Sequence, residues 1–430
     1  MKNNITITIF FLLLLTMFSC DNKKNTLNTS NTQNNVKVDF DPLKERNPQL
    51  AQAADWADIK SKATELRRKI DLDPKDSKSK LLLAQLYMKE ARITGEHPYY
   101  YPATLKILDN ILQTDSVQFE AMAFKASVLL SLHHFQEAKI VGEKAKTING
   151  NNGFIYGVLC DANVELGNYE EAVKMSDKMQ SVRPGLESYS RASYLREIHG
   201  NNQGAIEALK LAFQAALPGT EEASWVGNTL GQLLLKTGDL KHAEEISNIV
   251  LEQRPSYAFS TNTLGEIAMA QKKYKEAIKL FDEAIQRMPE VSFYENKAEA
   301  LELSGDKEGA QDIYVKVITM MEQDAKSGHY VDMEQAMVYL RMGNNEAALN
   351  HAQIEYNRRP MNIDVNHTLA WVLFKSGKVS EAKKYMDVAM RTGKQNALLL
   401  NRAAQIEKAL GNNAKSAELS SKSKKINAFM

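Results

Sequence analysis

Cysteine is nearly absent from this 430-residue chain: Cys20 and Cys160 are the only two. Two thiols cannot knit a disulfide framework, so an apolar core must hold the fold. Proline (10) and glycine (21) are sparse, which excludes collagen-like and low-complexity architectures and favours helix. An excess of either charge is missing too. With 54 basic residues against 53 acidic ones, no global field draws the chain to nucleic acid, and no nucleic-acid partner is expected. The signatures of chemistry are also lacking. There is no HExxH, no GxSxG and no P-loop, since Gly377-Lys378 has neither the upstream glycine nor the following hydroxyl. The eight histidines are scattered, and none sits at zinc-ligand spacing. These absences predict a chain with no catalytic residues, no metal and no cofactor.

What is present starts at the N-terminus. Residues 1–20 read MKNNITITIFFLLLLTMFSC, with Lys2 as a positive end and an apolar run from Ile5 to Phe18. That run is shorter than the roughly 20 residues that span a bilayer, and it fits a secretory signal over 1–19. Its ending, Met17-Phe18-Ser19-Cys20, resembles a bacterial lipobox, which would make Cys20 an acylated N-terminus. The following DNKKNTLNTSNTQNN has one apolar residue, Leu27. Such a segment buries too little surface to offset the entropy of ordering, so a disordered tether is expected over 20–47. The location implied is a bacterial cell envelope, with the folded body held to a membrane by lipid.

The rest of the chain is periodic. An alanine recurs five residues after a turn at Ala138, Ala172, Ala205, Ala243, Ala277, Ala310, Ala348 and Ala382, with Ser416 last. The spacings run 34, 33, 38, 34, 33, 38, 34 and 34. Twelve residues before each stands another small residue: Ala126, Cys160, Ser193, Gly231, Gly265, Ala298, Ala336, Ala370 and Ala404. Two antiparallel helices approach closely only where small side chains meet at the crossing. Between the two positions most copies carry Gly-Asn, Gly-Asp or Gly-Lys, as at Gly167, Gly200, Gly238, Gly305, Gly343, Gly377 and Gly411. Glycine ends one helix in the left-handed conformation, and the Asn or Asp after it caps the next. Pro184, Pro255, Pro289 and Pro360 stop several second helices. Self-similarity at this period predicts stacked helical hairpins.

GNYEEAVKMSDKMQSVRP and KKYKEAIKLFDEAIQRMP resemble the second helix of the tetratricopeptide repeat (TPR) family, and NTLGQLLLKTG and NTLGEIAMAQ resemble its first helix. The resemblance implies an all-α fold: a right-handed α–α superhelix of about ten repeats over 77–430, preceded by a capping helix within 48–76. Repeat 1 is expected to carry a lengthened turn, GEHPYYYPAT, with Tyr99, Tyr100 and Tyr101 forming a lid or a contact surface. The large aromatic expected early in the first helix is replaced by Gly227 and Thr261 in two copies. The two 38-residue spacings are read as tolerated loop drift, and the lysine-rich last helix as a solubilising cap.

The resemblance also implies a concave groove, lined by first helices, that holds a protein or peptide partner. By register the groove carries Asn228, Asn262, His367 and Asn401, then Tyr194, Gln232, Glu266, Glu299, Met337 and Trp371, and lower down Trp225, Phe259 and Tyr330. Repeated asparagines suit an extended backbone, because each offers donors and an acceptor. The candidates for binding are Trp225, Asn228, Asn262, Trp371, Tyr194 and Phe259. The basic residues of the family's carboxylate clamp are missing. The leading expectation is a lipid-anchored, non-catalytic scaffold; the rival is an accessory of an uptake system that handles a small molecule or glycan. Oligomeric state is not legible. Cys160 is expected as a small core residue at its crossing.

Overall fold

The computed structural model describes residues 39–52 and 55–429. The signal segment, Cys20 and the tether up to residue 38 lie outside the described residues. Twenty-one helices follow one another, with no strand among the described residues. Helix α1 (Trp56–Leu72) stands alone, and ten hairpins of helices A and B follow it. Repeats 1 to 4 are α2/α3 (Ser77–Thr94, His97–Thr114), α4/α5 (Phe119–Ser131, Phe135–Ile148), α6/α7 (Gly153–Glu165, Tyr169–Val182) and α8/α9 (Leu186–Ile198, Asn202–Gln214). Repeats 5 to 7 are α10/α11 (Glu221–Lys236, Leu240–Gln253), α12/α13 (Ala258–Ala270, Tyr274–Arg287) and α14/α15 (Val291–Ser304, Lys307–Lys326). Repeats 8 to 10 are α16/α17 (Asp332–Arg341, Asn345–Arg358), α18/α19 (Ile363–Lys375, Val379–Ala389) and α20/α21 (Ala397–Ala409, Asn413–Ile426). This is an α–α superhelix.

The crossing register is as the spacing predicts: every small residue of both series is buried. A Cβ built on Gly265 would sit 2.8 Å from Cδ1 of Phe281, and one on Gly227 would sit 2.9 Å from Cε2 of Phe213. Gly227 thus leaves room for an aromatic ring from helix B of the preceding repeat. Where serine replaces the small apolar residue, its hydroxyl bonds across the crossing. Ser193 donates to the Ala205 carbonyl at 2.7 Å, and Ser416 donates to Ala404 at 2.8 Å.

The turns also follow their chemistry. Glycines 167, 200, 238, 305, 343, 377 and 411 all have φ between +78° and +100°. In repeats 2 and 6 the same position is taken by His133 and Lys272, each at φ +62°. Asn201, Asp239, Asp306 and Asn344 cap helix B through their side chains. Asn168 and Asn412 do not; their amides bond back to Asn163 and Glu407 in helix A.

Repeat 1 departs from expectation. GEHPYYYPAT is not a long loop: Gly95-Glu96 is the whole turn, and the tyrosines belong to the first turns of α3. Pro98 sits where the helix has free N–H groups in any case. The tyrosines neither form a lid nor offer a contact surface: Tyr99 and Tyr100 fasten the segment before α1, and Tyr101 is buried against His97. Tyr99 donates to the Pro42 carbonyl at 2.6 Å, Tyr100 Oη accepts from Lys44 N, and Tyr87 donates to Asp41 O. Phe40 is buried, and Arg46 is enclosed between Glu90 and Asp55. The tether expected over 20–47 therefore does not extend through 39–47, which is packed onto repeat 1.

Beyond neighbour stacking, the superhelix touches itself. The A–B turn of repeat n lies against the connection that follows repeat n+5. In repeat 2, Tyr330 N donates to Leu132 O at 3.1 Å, His133 Nδ1 to Tyr330 O at 2.8 Å, and His134 Nε2 to Gly328 O at 2.6 Å. In repeat 3, Asn362 Nδ2 donates to Glu165 O at 3.0 Å, and Ile363 N to the Tyr169 hydroxyl at 2.9 Å. Repeat 4 follows with Asn202 Nδ2 to Gln395 O at 2.8 Å, and repeat 5 with Asn427 Nδ2 to Leu235 O at 3.0 Å. Repeat 1 contributes Gly95, where an added Cβ would stand 3.0 Å from Met288 Cγ. These five junctions form a seam between two superhelical turns. The connection 327–331 is part of it; the extra residues before repeat 8 lie not in that five-residue connection but in α15, which runs 20 residues against 14 for most second helices and brings 327–331 to the seam, so they are used and are not drift.

Candidate functional site: the inner wall of the superhelix

Successive A helices present equivalent positions inward, and neighbouring repeats are tied there by a polar ladder. Asn228 Oδ1 accepts from Thr263 Oγ1 at 2.9 Å and from Ser260 Oγ at 3.3 Å. Asn262 accepts from Asn296 Nδ2 at 3.1 Å and donates to Glu266 at 3.0 Å. Gln232 donates to Thr263 at 2.8 Å and to Glu266. Glu299 holds Arg341 at 2.7 Å, and Arg402 donates to His367 Nε2 at 3.3 Å. The asparagines expected to meet a partner's backbone are therefore largely committed to each other. Asn262 is buried with both ends of its amide engaged.

The aromatic candidates divide. Trp225 on α10 and Tyr194 on α8 are exposed. Trp371 on α18 is half-buried, stacked on Phe374 at 5.3 Å with the Arg402 guanidinium 4.7 Å from its ring. Phe259 leans into the core, edge-on to Phe293 at 5.2 Å. Tyr330, placed in the groove by register, belongs instead to the seam. Its ring stacks on His134 at 4.1 Å, and Arg358 lies 4.0 Å from its centre. The lengthened helix α15, 20 residues against 14 for most second helices, carries it there.

Electrostatically the inner wall has two halves. In repeats 6 and 7, burial raises the carboxyls of Glu266 and Glu295 to about 7, with Glu334 adding to Glu295. In repeats 9 and 10, burial lowers Arg402 to about 10 with help from nearby Arg341, and burial with Arg402 lowers His367 to about 3. A carboxyl-rich stretch thus gives way to a cationic one flanked by Trp371. Nothing here assembles a nucleophile with a base. Cys160 is enclosed at its helix crossing, and burial drives its thiol far up. His351 is paired to Asp332 at 2.7 Å and stacked on Tyr339. In a hollow of about 390 Å³ beside it, walled by Tyr330, Asp332, Tyr339, His351 and Arg358, Asp332 is already paired with both His351 and Arg358. Among the described residues no three His, Cys, Asp or Glu side chains converge as a metal site, and no helix is long and apolar enough to cross a membrane.

A hairpin solenoid with a polar, aromatic-bearing inner wall defines a class of repeat scaffold. A family model described as "Tetratricopeptide repeat" matches residues 178–427, more than half of the chain. The chain belongs to the tetratricopeptide repeat family. It is similar to a TPR repeat-containing protein of Methanocaldococcus jannaschii, 25% identical over 242 residues that make up 53% of this chain and 40% of that protein. The chain thus spans well under half the length of that relative. Among solved structures, a thermophilic TPR protein of Thermus thermophilus, TTC0263, aligns at 20% identity and TM-score 0.40 over 45% of this chain and 99% of that one. Human IFIT1 bound to PPP-AAAA aligns at 13% identity and TM-score 0.47 over 86% and 90%. YrrB, described as a TPR protein with an unusual peptide-binding site, aligns at 18% identity and TM-score 0.31 over 46% and 97%.

The seam is what sequence reasoning missed. No spacing announces it, because it depends on how much rotation each repeat adds to the last. The one local hint is the 38-residue spacing from Ala310 to Ala348, which proves to be a longer α15 and not a longer loop.

Proposed function

We propose that this chain is a non-catalytic scaffold of the bacterial cell envelope, anchored by lipid at Cys20, that holds a protein or peptide segment along its inner wall. TPR arrays are scaffolds typical of protein–protein interaction, and membership of that family supports the coarser part of the reading. The observation that carries the finer part is the pair of exposed rings, Trp225 and Tyr194, on adjacent A helices of a wall whose other aromatics are packed. Large rings left accessible among polar neighbours are typical anchors, and truncating one costs about 2 kcal/mol or more at a binding hot spot. The partner would be extended, since the wall offers a succession of equivalent positions along its A helices. Trp225→Ala with Tyr194→Ala, and Trp371→Ala separately, are expected to lower partner recovery from envelope extracts by tenfold or more while circular dichroism stays unchanged. Lys279→Glu on the outer face of α13 is expected to leave recovery intact. Loss with the outer-face change alone would move the working surface off the inner wall.

A further inference from the structure

The seam uses two edges of the superhelix: the A–B turns of repeats 1–5 and the connections after repeats 6–10. Each edge has a second half that the chain does not pair. A Cβ added to Gly305, Gly343, Gly377 or Gly411, the turns of repeats 7–10, meets nothing within 4 Å. On Gly167 or Gly200, which occupy the same place in the first turn, it would collide with the backbone of Met361 or Gly393. The connection edge shows the complementary asymmetry. Inside the seam Met288 and Val331 are buried, with Met361 49% and Phe429 52% exposed, whereas Leu72 and Leu217 are 73% exposed and Val117 is 62% exposed on the unpaired connections. Ile148 and Val182, at the ends of α5 and α7, are exposed as well. Every junction after α1 and after repeats 1–4 therefore shows one bare apolar side chain. The junction after repeat 5 has its aromatic, Tyr257, buried.

The register follows from counting. Helix α1 takes the place of a helix B ahead of repeat 1, so a second copy stacked behind repeat 10 would enter as position eleven. The rule that turn n meets connection n+5 then sets the free turns of repeats 6–10 against the connections after α1 and repeats 1–4. Those are the five that carry the bare apolar residues. Charge is complementary at two of the five junctions: Lys272 and Lys307 are exposed on the free turns of repeats 6 and 7, and Asp73 and Asp115 are exposed on the connections they would face, whereas Lys378 on the turn of repeat 9 would stand near the exposed Arg183. We infer that a second copy of this chain docks head to tail on these edges, continuing the intrachain seam from one molecule to the next. The contact uses different surfaces on the two partners and, because it continues the superhelix, each added copy also rises along the superhelical axis; it therefore does not close into a ring and propagates as a helical filament.

The test uses the full chain in mild detergent, which shields the apolar residues 5–18, followed by sedimentation velocity over a concentration series. The weight-average mass is expected to rise past two chains without reaching a plateau. One variant, Leu72→Glu/Val117→Glu/Leu217→Glu, removes the connection edge; another, Lys272→Glu/Lys307→Glu, reverses charge on the turn edge where it would face Asp73 and Asp115. All five positions are exposed, and unchanged circular dichroism would show both variants folded. Each alone is expected to stay a single chain, and their equimolar mixture to form a two-chain species and nothing larger. The inference is overturned if the wild type stays a single chain throughout, or if both variants associate as it does. It is also overturned if the mixture fails to pair.

Discussion

Gly167 and Gly377 carry the same local burden, φ +78° and +82°, and differ only in what stands opposite. Alanine at either must accept the left-handed conformation, at about 1–2 kcal/mol. At Gly167 its methyl also runs into the Met361 carbonyl, whereas at Gly377 it meets open space. Overpacking a fixed backbone adds about 1–3 kcal/mol. Gly167→Ala is therefore expected to lose more stability than Gly377→Ala by that margin in denaturant titrations. Equal losses would show that the turns do not press on each other. The sequence makes the two glycines look interchangeable, because turn chemistry fixes the left-handed residue and says nothing of its distant neighbour. The same limit explains Asn228 and Asn262. Their recurrence at matching positions was legible, but whether an amide faces a ligand or the next repeat depends on the residue one period away.

At the scale of elements, the junction of repeat 2 with the connection 327–331 gathers His97, His133, His134 and His329. The His329 and His133 rings lie 4.4 Å apart, and neither ring nitrogen of His329 has a hydrogen-bond partner. Burial, with the neighbouring histidines pushing the same way, holds His329 at about 3, and burial holds His97 at about 4. An unfolded histidine titrates near about 6.5. Between 6.5 and 4 the unfolded chain thus binds protons that the folded chain refuses, and stability is lost as pH falls through that window. Glu266 and Glu295, raised to about 7, act with the opposite sign over about 7 to 4.5, since there the folded chain holds the extra protons. The wild-type curve alone would blend the two effects, so the comparison is with His329→Gln. The variant is expected to gain about 3 kcal/mol on the wild type as pH falls from 6.5 to 4, read from melts at matched ionic strength. A gap that stays constant with pH would mean that His329 does not titrate against burial. Element boundaries and pairing were legible because most hairpins carry a turn glycine, a cap or a closing proline within one period. The longer spacing after Ala310 was also legible, but not as a longer α15 that serves the seam.

At the scale of the whole molecule, an ordinary solenoid is one-dimensional: each repeat feels only its neighbours. Here repeat 2 also answers to the connection after repeat 7, and repeat 5 to Asn427 at the far end of the chain. Repeat number could be read from 34-residue spacings, and the family from the resemblance of segments such as GNYEEAVKMSDKMQSVRP and NTLGEIAMAQ, but this second set of neighbours could not. A sequence period is a local quantity, whereas superhelical closure is the sum of many small rotations. The anchoring reading also belongs to this scale. Cys20→Ala is expected to abolish metabolic labelling with a fatty acid and to release the chain from the membrane fraction; persistent labelling would reject Cys20 as the lipid site.

A coil spring wound until its loops touch does not stretch in proportion to load. It stays stiff until the loops part and only then becomes compliant. The five junctions give this protein that character. A pull along the axis first meets side-chain-to-carbonyl bonds at Gly328, Tyr330, Glu165, Gln395 and Leu235, which must all yield before any hairpin can swing on its neighbour. Whatever lies along the inner wall is thus kept from gentle tension by a threshold, and is delivered to a stronger one all at once.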